Sequence, residues 1–347
     1  MSHLITEVIK ENLQKVINKQ YGNLSDEILF TVEPTRDKIH GDFASNLAFL
    51  LSKKLRKSPR DIANQIVSIL NQSLDNIATI EIAGGGFINF LLNDQIILSF
   101  MQDSLEEKED YGSVQVGNNE QLQVEFVSVN PTGPLHVGHG KCAAFGDALS
   151  RVLTKAGFSV EKESYINDAG RQIDLLGLTL EARYRQLFGE EAEIPEGGYK
   201  GEYLIDIANK LKKEKGDALL SLSDEEKTEI FKSYAVNSIL ENIKKDLSDF
   251  RVIFDVWFSE KTLYQNQEVE KALKQLINRG FTYEKDGALW LKTQQWGDDK
   301  DRVLVRENGS PTYFASDIAY HFNKWQRGFE RVIDIWGADH HGYIPRM

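Results

Sequence analysis

Two histidines, His136 and His139, flank Gly138 in a segment rich in proline and glycine, Asn130-Pro-Thr-Gly-Pro-Leu-His-Val-Gly-His139. The segment follows an apolar stretch typical of a buried strand, and the residues after it have helical spacing. The first turn of a helix presents free N–H groups and a partial positive charge, which suit a phosphate. Histidines there can donate hydrogen bonds to phosphate oxygens, and Gly138 leaves room for a flat ring such as adenine. In this context the pattern predicts a nucleotide site.

The elements that must position these histidines alternate between strand and helix. A strand at 122–129, a helix at 138–156, a strand at 158–166 and a helix at about 168–188 predict a parallel sheet with helical crossovers. In such sheets, ligands bind at the carboxyl ends of the strands, where the following helices begin. The class is therefore α/β, with the histidines at the ligand-binding edge.

The alternation is interrupted and later resumes. Residues 189–250 are polar and mostly helical, and two hairpins with the turns Asp286-Gly287 and Asn308-Gly309 follow. A helix near 317–327 and a strand at 331–336 then restore the parallel pattern. We interpret residues 189–300, approximately, as an insertion into an α/β domain that spans 120–347.

The first part of the chain has a different pattern. Helical spacing at 4–19, 44–57 and 60–74 precedes alternating strands at 78–92, which surround Gly84-Gly85-Gly86. Residues 1–112 therefore predict a small α+β domain. A length of 347 residues agrees with two domains of about 150 residues each.

Composition excludes several classes of protein. A net charge of −12 argues against a protein that coats nucleic acid without specificity, although it does not exclude a tRNA partner. The single cysteine, Cys142, excludes an intrachain disulfide framework and a cysteine-rich zinc module, and we expect it to be a small core residue. We find no apolar run long enough to span a bilayer and no apolar start of signal-peptide length, so we expect a cytoplasmic protein with no membrane contact.

The residues from Val124 to His139 resemble the first signature of class I aminoacyl-tRNA synthetases, and more narrowly that of arginyl-tRNA synthetases. The likeness extends to Gly41-Asp-Phe-Ala-Ser-Asn46 and Gly86-Phe-Ile-Asn-Phe90, which are similar to the extra N-terminal domain of that family. Tyr165-Ile-Asn-Asp-Ala-Gly-Arg-Gln172 and Trp336-Gly-Ala-Asp-His-His-Gly-Tyr343 are also similar to family segments. The resemblance implies a class I synthetase Rossmann-like parallel sheet with an inserted helical and hairpin region, preceded by a small α+β domain that contacts tRNA.

The resemblance implies an arginine–tRNA ligase (aminoacyl-tRNA ligase), in which the arginine carboxylate attacks the α-phosphate of ATP and the product is transferred to tRNA(Arg) in protein biosynthesis. In such a reaction, positioning and charge stabilisation do most of the catalysis. The histidine pair would contact the ATP phosphates, Gly138 would lie beside the adenine, and Gly337 and Asp339 would hold the ribose. ATP with Mg²⁺ is the expected substrate, and we expect no bound organic cofactor and no protein metal site.

Selection of arginine requires carboxylates, because a guanidinium is planar, always charged and pairs bidentately with them. The resemblance places Glu260 and Asp317 at the guanidinium, with Tyr313 at the same end. Glu125 and Asn130 would hold the ammonium and backbone polar groups of the substrate. His340 is a further arginine-binding position by resemblance.

The tRNA partner is expected to contact the N-terminal domain. Phe87 and Asn89 resemble the family surface that reads the tRNA D-loop, where an aromatic ring can stack on an unpaired base. A core strand with Phe87 and Phe90 buried is an open alternative. We expect a monomer.

The sequence departs from the family pattern after its last strand. It contains no Lys-Met-Ser-Lys-like segment and no C-terminal helical domain that binds the anticodon arm. We therefore expect a truncated form with impaired activity. The alternatives are a non-catalytic tRNA- or protein-binding module derived from a synthetase, another nucleotidyl transferase with the His-x-Gly-His pattern, or a synthetase for cysteine or methionine. The acidic residues fit arginine better than either of these amino acids.

Overall fold

The computed structural model describes residues 2–22, 28–74, 78–337 and 342–344. The chain divides into two compact units, Met1–Ser113 and Val114–Met347. None of the helices in these described ranges is long and apolar enough to cross a membrane.

The first unit is a small α+β fold, as the sequence predicts. Its four strands form an antiparallel sheet in the order β1-β2-β4-β3. Leu13, Leu51 and Ile66, from three different helices, pack with Phe90 of the sheet in one apolar core. The elements are α1 (Ser2–Tyr21), β1 (Val32–Pro34), β2 (Phe43–Ser45), α2 (Leu47–Leu55), α3 (Pro59–Leu74), β3 (Ala78–Ala83), β4 (Phe87–Leu92) and α4 (Asp94–Glu107).

The second unit contains a parallel sheet in the order β11-β5-β6-β7, and a separate antiparallel sheet in the order β10-β9-β8. Three strands of the parallel sheet were predicted, whereas the fourth, Val256–Ser259, lies within the range interpreted as an insertion and pairs with Glu163–Ile166. Its first elements are β5 (Gln121–Glu125), α5 (Val137–Lys155), β6 (Ser159–Ile166), α6 (Arg171–Gln186), α7 (Tyr203–Lys215) and α8 (Asp224–Asp249). The remaining elements are β7 (Val256–Ser259), α9 (Glu260–Gln265), α10 (Glu268–Asn278), β8 (Thr282–Lys285), β9 (Ala288–Leu291), β10 (Arg302–Val305), α11 (Tyr313–Gln326) and β11 (Arg331–Asp334).

The strand order creates a topological switch point beside β5. The chain proceeds from β5 to β6 and β7 on one side, and β11 returns to pair with β5 on the other side. Connections on the two sides leave the sheet in opposite directions, so a crevice opens outside the carboxyl ends of β5 and β11. The histidine segment begins at this crevice.

The two faces of the parallel sheet differ in chemistry because successive side chains of a strand point to opposite faces. Leu122 and Val124 belong to the apolar core shared with α6, α7 and α8, whereas Gln123 and Glu125 are buried polar residues. The helices α6 and α8 pack closely, since a Cβ at Gly177 would lie 3.0 Å from the backbone nitrogen of Lys232.

Local chemistry explains where the sequence predictions differ from the structure. The strand predicted at 122–129 is interrupted at Val127, which has a φ of 55°, before Val129 pairs again with Ile166. The hairpin predicted at Asn308-Gly309 has only a single bridge, between Val305 and Pro311. The pairing ends at Thr312, whose N–H donates to the Leu304 carbonyl at 2.8 Å, because α11 begins at the next residue, Tyr313.

Two helices also depart from the prediction. The helix expected near 317–327 begins at Tyr313, because the side chain of Thr312 caps it by accepting a hydrogen bond from the Ala315 N–H at 3.4 Å. The helix α4 was not predicted, and none of its residues is buried.

Close packing of α5 on β5 gives the first prediction. A Cβ at Gly146 would lie 2.3 Å from the ring of Phe126, so Gly146→Ala is expected to reduce the free energy of unfolding by about 2 kcal/mol. Gly140→Ala in the same helix is the control, because its Cβ would meet nothing within 4 Å and alanine favours helix. Urea unfolding followed by circular dichroism measures both, and equal stability of the two variants would contradict the packing described.

Candidate active site

A cleft of about 550 Å³ lies at the carboxyl ends of β5 and β11. Its wall comes from the residues after β5, the first turns of α5 and α11, the residues after β11, and Tyr165 on β6. Among the predicted site residues, the cleft brings together Glu125, His136, Gly138, His139, Tyr313, Asp317 and Gly337. These seven predicted residues therefore share one cleft, although the ligand that each would bind stays a prediction.

The two histidines cap α5 through their own ring nitrogens. Nδ1 of His136 accepts a hydrogen bond from the Gly138 N–H at 3.1 Å, and Nδ1 of His139 accepts one from the His136 N–H at 3.2 Å. The rings stack with centroids 3.7 Å apart. Because Nδ1 is an acceptor in each ring, the neutral form carries its hydrogen on Nε2. Burial and the neighbouring His136 both lower the pKa of His139, which favours this neutral form.

Gly138 is required by the histidine geometry itself. A Cβ at this position would lie 2.9 Å from Cε1 of His136, so any larger residue would displace the ring. The glycine is exposed, and the backbone around it faces the cleft. An open backbone surface of this kind can accept a flat ring, as the sequence predicts, but the adenine contact stays a prediction.

The acidic end of the site consists of Asp317, which lines the cleft, and Glu260, which does not line it but contacts Tyr165 of the cleft wall. Glu260 is 3% exposed and begins α9, where the Tyr165 hydroxyl hydrogen-bonds its carboxylate. In the orientation that satisfies its polar atoms, the Asn167 amide donates to Glu260 Oε2 at 2.8 Å. Asp317 accepts a hydrogen bond from the Tyr343 hydroxyl. Both carboxyl groups therefore accept hydrogen bonds from neutral donors, and His321 partly offsets the negative charge of Asp317.

Burial controls the protonation of these two carboxyl groups. The pKa of Glu260 is raised to about 7, mainly because the group is buried. The hydrogen bond from Tyr165 opposes this shift, whereas the nearby Asp317 and Asp168 add to it. Burial also raises the pKa of Asp317, against the hydrogen bond from Tyr343. A bound cation would offset the cost of ionising both groups. This arrangement suits a cationic ligand.

Glu125 lies at the end of β5 and lines the same cleft. Its Oε1 accepts a hydrogen bond from Ser128 at 2.6 Å, and its Oε2 pairs with Lys324 and lies 2.9 Å from the Tyr320 hydroxyl. Burial raises the pKa of Glu125, whereas Lys324 lowers it. Glu125 is thus part of a buried ionic network as well as the cleft wall.

Asn130 lies at a smaller neighbouring cavity of about 240 Å³, lined also by Asn167, Ala169, Gln172 and Tyr313. The Asn130 amide donates to Gln172 Oε1 at 2.6 Å, which ties the turn after β5 to the first turn of α6. Tyr313 lines both cavities and is 62% exposed. Asn130 is therefore near the cleft, but it does not line it.

The four remaining predicted residues fall into two groups. Asp339 and His340 fall outside the described residues. Phe87 and Asn89 lie on β4 of the first unit, where Phe87 is 46% exposed and contacts Phe49 edge to face at 4.8 Å. Asn89 is buried opposite Ala44 and Glu81. Phe87 is therefore not the core residue of the alternative reading, whereas Phe90 is fully buried.

Sequence reasoning missed several residues of the cleft wall. Tyr165, Ser128, Tyr320 and His321 all line it. Cys142 also lines it, although this half-buried residue packs against the apolar core as expected. The alternation along β6 is a signal for Tyr165, because Glu161, Glu163 and Tyr165 share one face of the strand. The α11 residues carry no comparable signal, since a helical stripe is typical of ordinary packing.

Within the described part of the chain, no three His, Cys, Asp or Glu side chains converge as a metal site.

The sequence comparisons identify the family. The description "tRNA synthetases class I (R), catalytic domain" matches residues 100–345, and "Arginyl tRNA synthetase N terminal domain" matches residues 4–92. The chain therefore belongs to the arginyl-tRNA synthetase family of class I. The fold and the family predicted from the sequence are confirmed.

Individual relatives agree with this membership. The chain is 50% identical to an arginine–tRNA ligase of Oceanobacillus iheyensis over 91% of its length and 57% of the relative's. It is 49% identical to that of Thermotoga maritima over 99% of its length and 62% of the relative's. The solved Thermus thermophilus arginyl-tRNA synthetase is similar with a TM-score of 0.59 and 25% identity, over 93% of this chain and 53% of that one. The chain thus spans about 60% of the curated relatives it matches.

The pKa of Glu260 gives a stability prediction. The folded chain binds this proton up to about pH 7 and the unfolded chain only up to about 4.5, so the contribution of Glu260 to stability falls as pH rises between these values. Glu260→Gln is therefore expected to exceed the wild type in unfolding free energy by up to about 3 kcal/mol near pH 8, and by much less near pH 5. Urea unfolding at the two pH values measures the difference.

Glu270→Gln is the matched control, because Glu270 is exposed in the first turn of α10. It is expected to change stability equally at both pH values. A Glu260→Gln effect that does not depend on pH would show that Glu260 is ionised in the folded protein at both.

Proposed function

We propose that this chain carries the ATP and arginine sites of an arginine–tRNA ligase, which activates L-arginine as arginyl-adenylate and transfers it to tRNA(Arg). The observation that carries the proposal is the presence, in one cleft, of a histidine-capped helix N-terminus and the buried carboxyl group of Asp317, with the second buried carboxyl group, that of Glu260, in contact with Tyr165 of the cleft wall. The helix N-terminus favours a negatively charged group and the acidic end favours a positively charged one, which matches a triphosphate and a guanidinium.

The nucleotide half of the site is the first turn of α5. Nε2–H groups of His136 and His139, together with the helix N-terminus, are donors for phosphate oxygens. Gly138 and Gly337 offer backbone surface to the adenine and ribose, and Asp339 is the expected acceptor for ribose hydroxyls. Mg²⁺ would enter with the nucleotide, since this ion is commonly held by substrate phosphates with few protein ligands.

The arginine half of the site is the acidic end. Glu260 and Asp317 would pair with the guanidinium beside Tyr313, and Glu125 and Asn130 would hold the ammonium end. Such binding aims the substrate carboxylate at the α-phosphorus of ATP. Its oxygen forms a bond to that phosphorus as the bond to the leaving pyrophosphate breaks, and the histidine donors stabilise the charge that develops.

The first unit would contact tRNA(Arg). Phe87 is an exposed aromatic ring that is available to stack on an unpaired base, and Asn89 follows it on the same face of β4. The proposal includes a monomeric enzyme in the cytoplasm.

Arginine recognition is tested with its neutral isostere L-citrulline. Calorimetry of this chain with a non-hydrolysable ATP analogue is expected to show L-arginine binding and at least about 100-fold weaker citrulline binding, because buried carboxylates would be left unmatched. Asp317→Asn is expected to remove most of this discrimination. Binding of both ligands with similar affinity would contradict the arginine site.

Asp286→Asn is the control for that substitution. Asp286 lies in the β8–β9 turn with a φ of 53°, which asparagine tolerates, and it does not line the cleft. It is expected to retain wild-type discrimination.

The nucleotide site is tested by His136→Asn. Asparagine is a good N-cap, so α5 is expected to keep its stability while the ring donor is lost. Affinity for the ATP analogue is expected to fall on the order of 10-fold, the value of one charged hydrogen bond. Isothermal calorimetry and thermal unfolding separate the two effects. Unchanged nucleotide affinity with unchanged stability would refute the phosphate role of His136.

A further inference from the structure

We propose that Lys324, which does not line the cleft, is a positioning residue that holds the Glu125 carboxylate ready to receive the α-ammonium of L-arginine. The inference rests on the proposed function, because it assigns a support to one of the proposed arginine contacts.

Lys324 is a fully buried cation. It is 0% exposed, its ammonium pairs with Glu125 Oε2, and it also donates to Asp334 Oδ1 at 2.8 Å. The ammonium also lies 4.5 Å from the centre of the Tyr320 ring. Burying a lysine is costly, so its charge must be matched by these partners. Lys324 thereby connects the ends of β5 and β11, the two strands that flank the crevice.

The contacts of Glu125 leave one acceptor position. Each carboxylate oxygen has two lone pairs. Oε2 accepts from Lys324 and faces the Tyr320 hydroxyl, whose single hydrogen it shares with Glu163 Oε1. Oε1 accepts only from Ser128 among the described residues. Because Glu125 lines the cleft, a ligand ammonium can donate to Oε1 while Lys324 holds Oε2 from behind.

The second role of Lys324 is to keep Glu125 charged. Burial favours the neutral acid, and Lys324 opposes it more strongly than any other neighbour. The titratable and charged groups that face Glu125 or its partners come from α11, β11 and β6, and they are Tyr320, His321, Lys324, Asp334 and Glu163. With Lys324 removed, the remaining acidic neighbours favour protonation, and a protonated Glu125 binds an ammonium poorly.

Arg327, the residue that follows α11, provides a matched control. Its guanidinium donates to Glu163 Oε2 at 2.6 Å and Oε1 at 3.0 Å, and it does not contact Glu125. Arg327→Met therefore removes a buried ion pair of the same network without removing the support of Glu125.

The test compares L-arginine with 5-guanidinopentanoate, which lacks only the α-amino group. Calorimetry of the whole chain with the ATP analogue is performed on the wild type, Lys324→Met and Arg327→Met. Lys324→Met is expected to lose L-arginine affinity on the order of 10- to 100-fold while 5-guanidinopentanoate affinity changes little. Raising the pH from about 7 to about 8.5 is expected to restore part of the loss, as Glu125 ionises.

The possible outcomes separate this inference from the proposed function. If wild-type protein does not prefer L-arginine to citrulline, the proposed function fails. Suppose instead that the wild type prefers L-arginine to citrulline. The inference then fails if Lys324→Met weakens the binding of L-arginine and 5-guanidinopentanoate equally, because Lys324 would have only a structural role. It also fails if Arg327→Met weakens L-arginine binding as selectively as Lys324→Met does.

A wild-type measurement covers the case in which Lys324→Met does not fold. Titration of groups at the guanidinium end affects the binding of L-arginine and 5-guanidinopentanoate equally, so the ratio of the two affinities does not depend on it. With Lys324 in place, this ratio is expected to change less than about threefold between about pH 6 and pH 8, because Lys324 opposes the protonation of Glu125 that burial favours. A ratio that falls steadily toward pH 6 would overturn the inference.

Discussion

A row of three carboxylates crosses the parallel sheet, and the second unit is organised around it. Asp334, Glu125 and Glu163 occupy paired positions on β11, β5 and β6, about 5 Å from strand to strand. Like charges this close and this buried are stable only with partners. Those partners come from α11 and the residue that follows it: Lys324 pairs with the first two carboxylates and Arg327 pairs with the third. The position of α11 over this face of the sheet is therefore fixed by charge as well as by apolar packing.

The position of α11 determines the geometry of the cleft. The first turns of α11 carry Tyr313 and Asp317 to the crevice, and a later turn holds the carboxylate row. His321 connects the two, because its ring contacts the Asp317 carbonyl oxygen at 2.8 Å and Asp334 at 2.9 Å. On the opposite face, the close contact of α5 with Phe126 sets the position of the histidines. Two helices on two faces thus bring a phosphate-type site and an acidic site to one edge of the sheet.

The sequence predicted the parts that depend on local pattern. The alternation of strand and helix indicated the parallel sheet, and the histidine segment indicated its ligand edge. The row of carboxylates could not be predicted from the sequence, because it depends on the register of the strands, and the register is set by the packed sheet. The separation of Asn130 from the main cleft and the exposure of Cys142 to it are likewise products of side-chain packing. The interruption at Val127 is contrary to the strong strand preference of valine, so tertiary contacts such as Ser164 Oγ to the Val127 carbonyl, at 3.0 Å, must support it.

The capping of α5 by its own histidines limits which residues can serve there. Lysine or arginine would offer a phosphate a full positive charge, but neither has a lone pair with which to accept a backbone hydrogen bond. A cationic residue at 136 would leave the Gly138 N–H without its ring acceptor, and one at 139 would do the same to the His136 N–H. Asparagine can accept the backbone bond, but it lacks a second nitrogen on the far side of a rigid ring. Only imidazole accepts from the helix with one nitrogen and donates outward with the other, so the helix start and the ligand site require the same side chain.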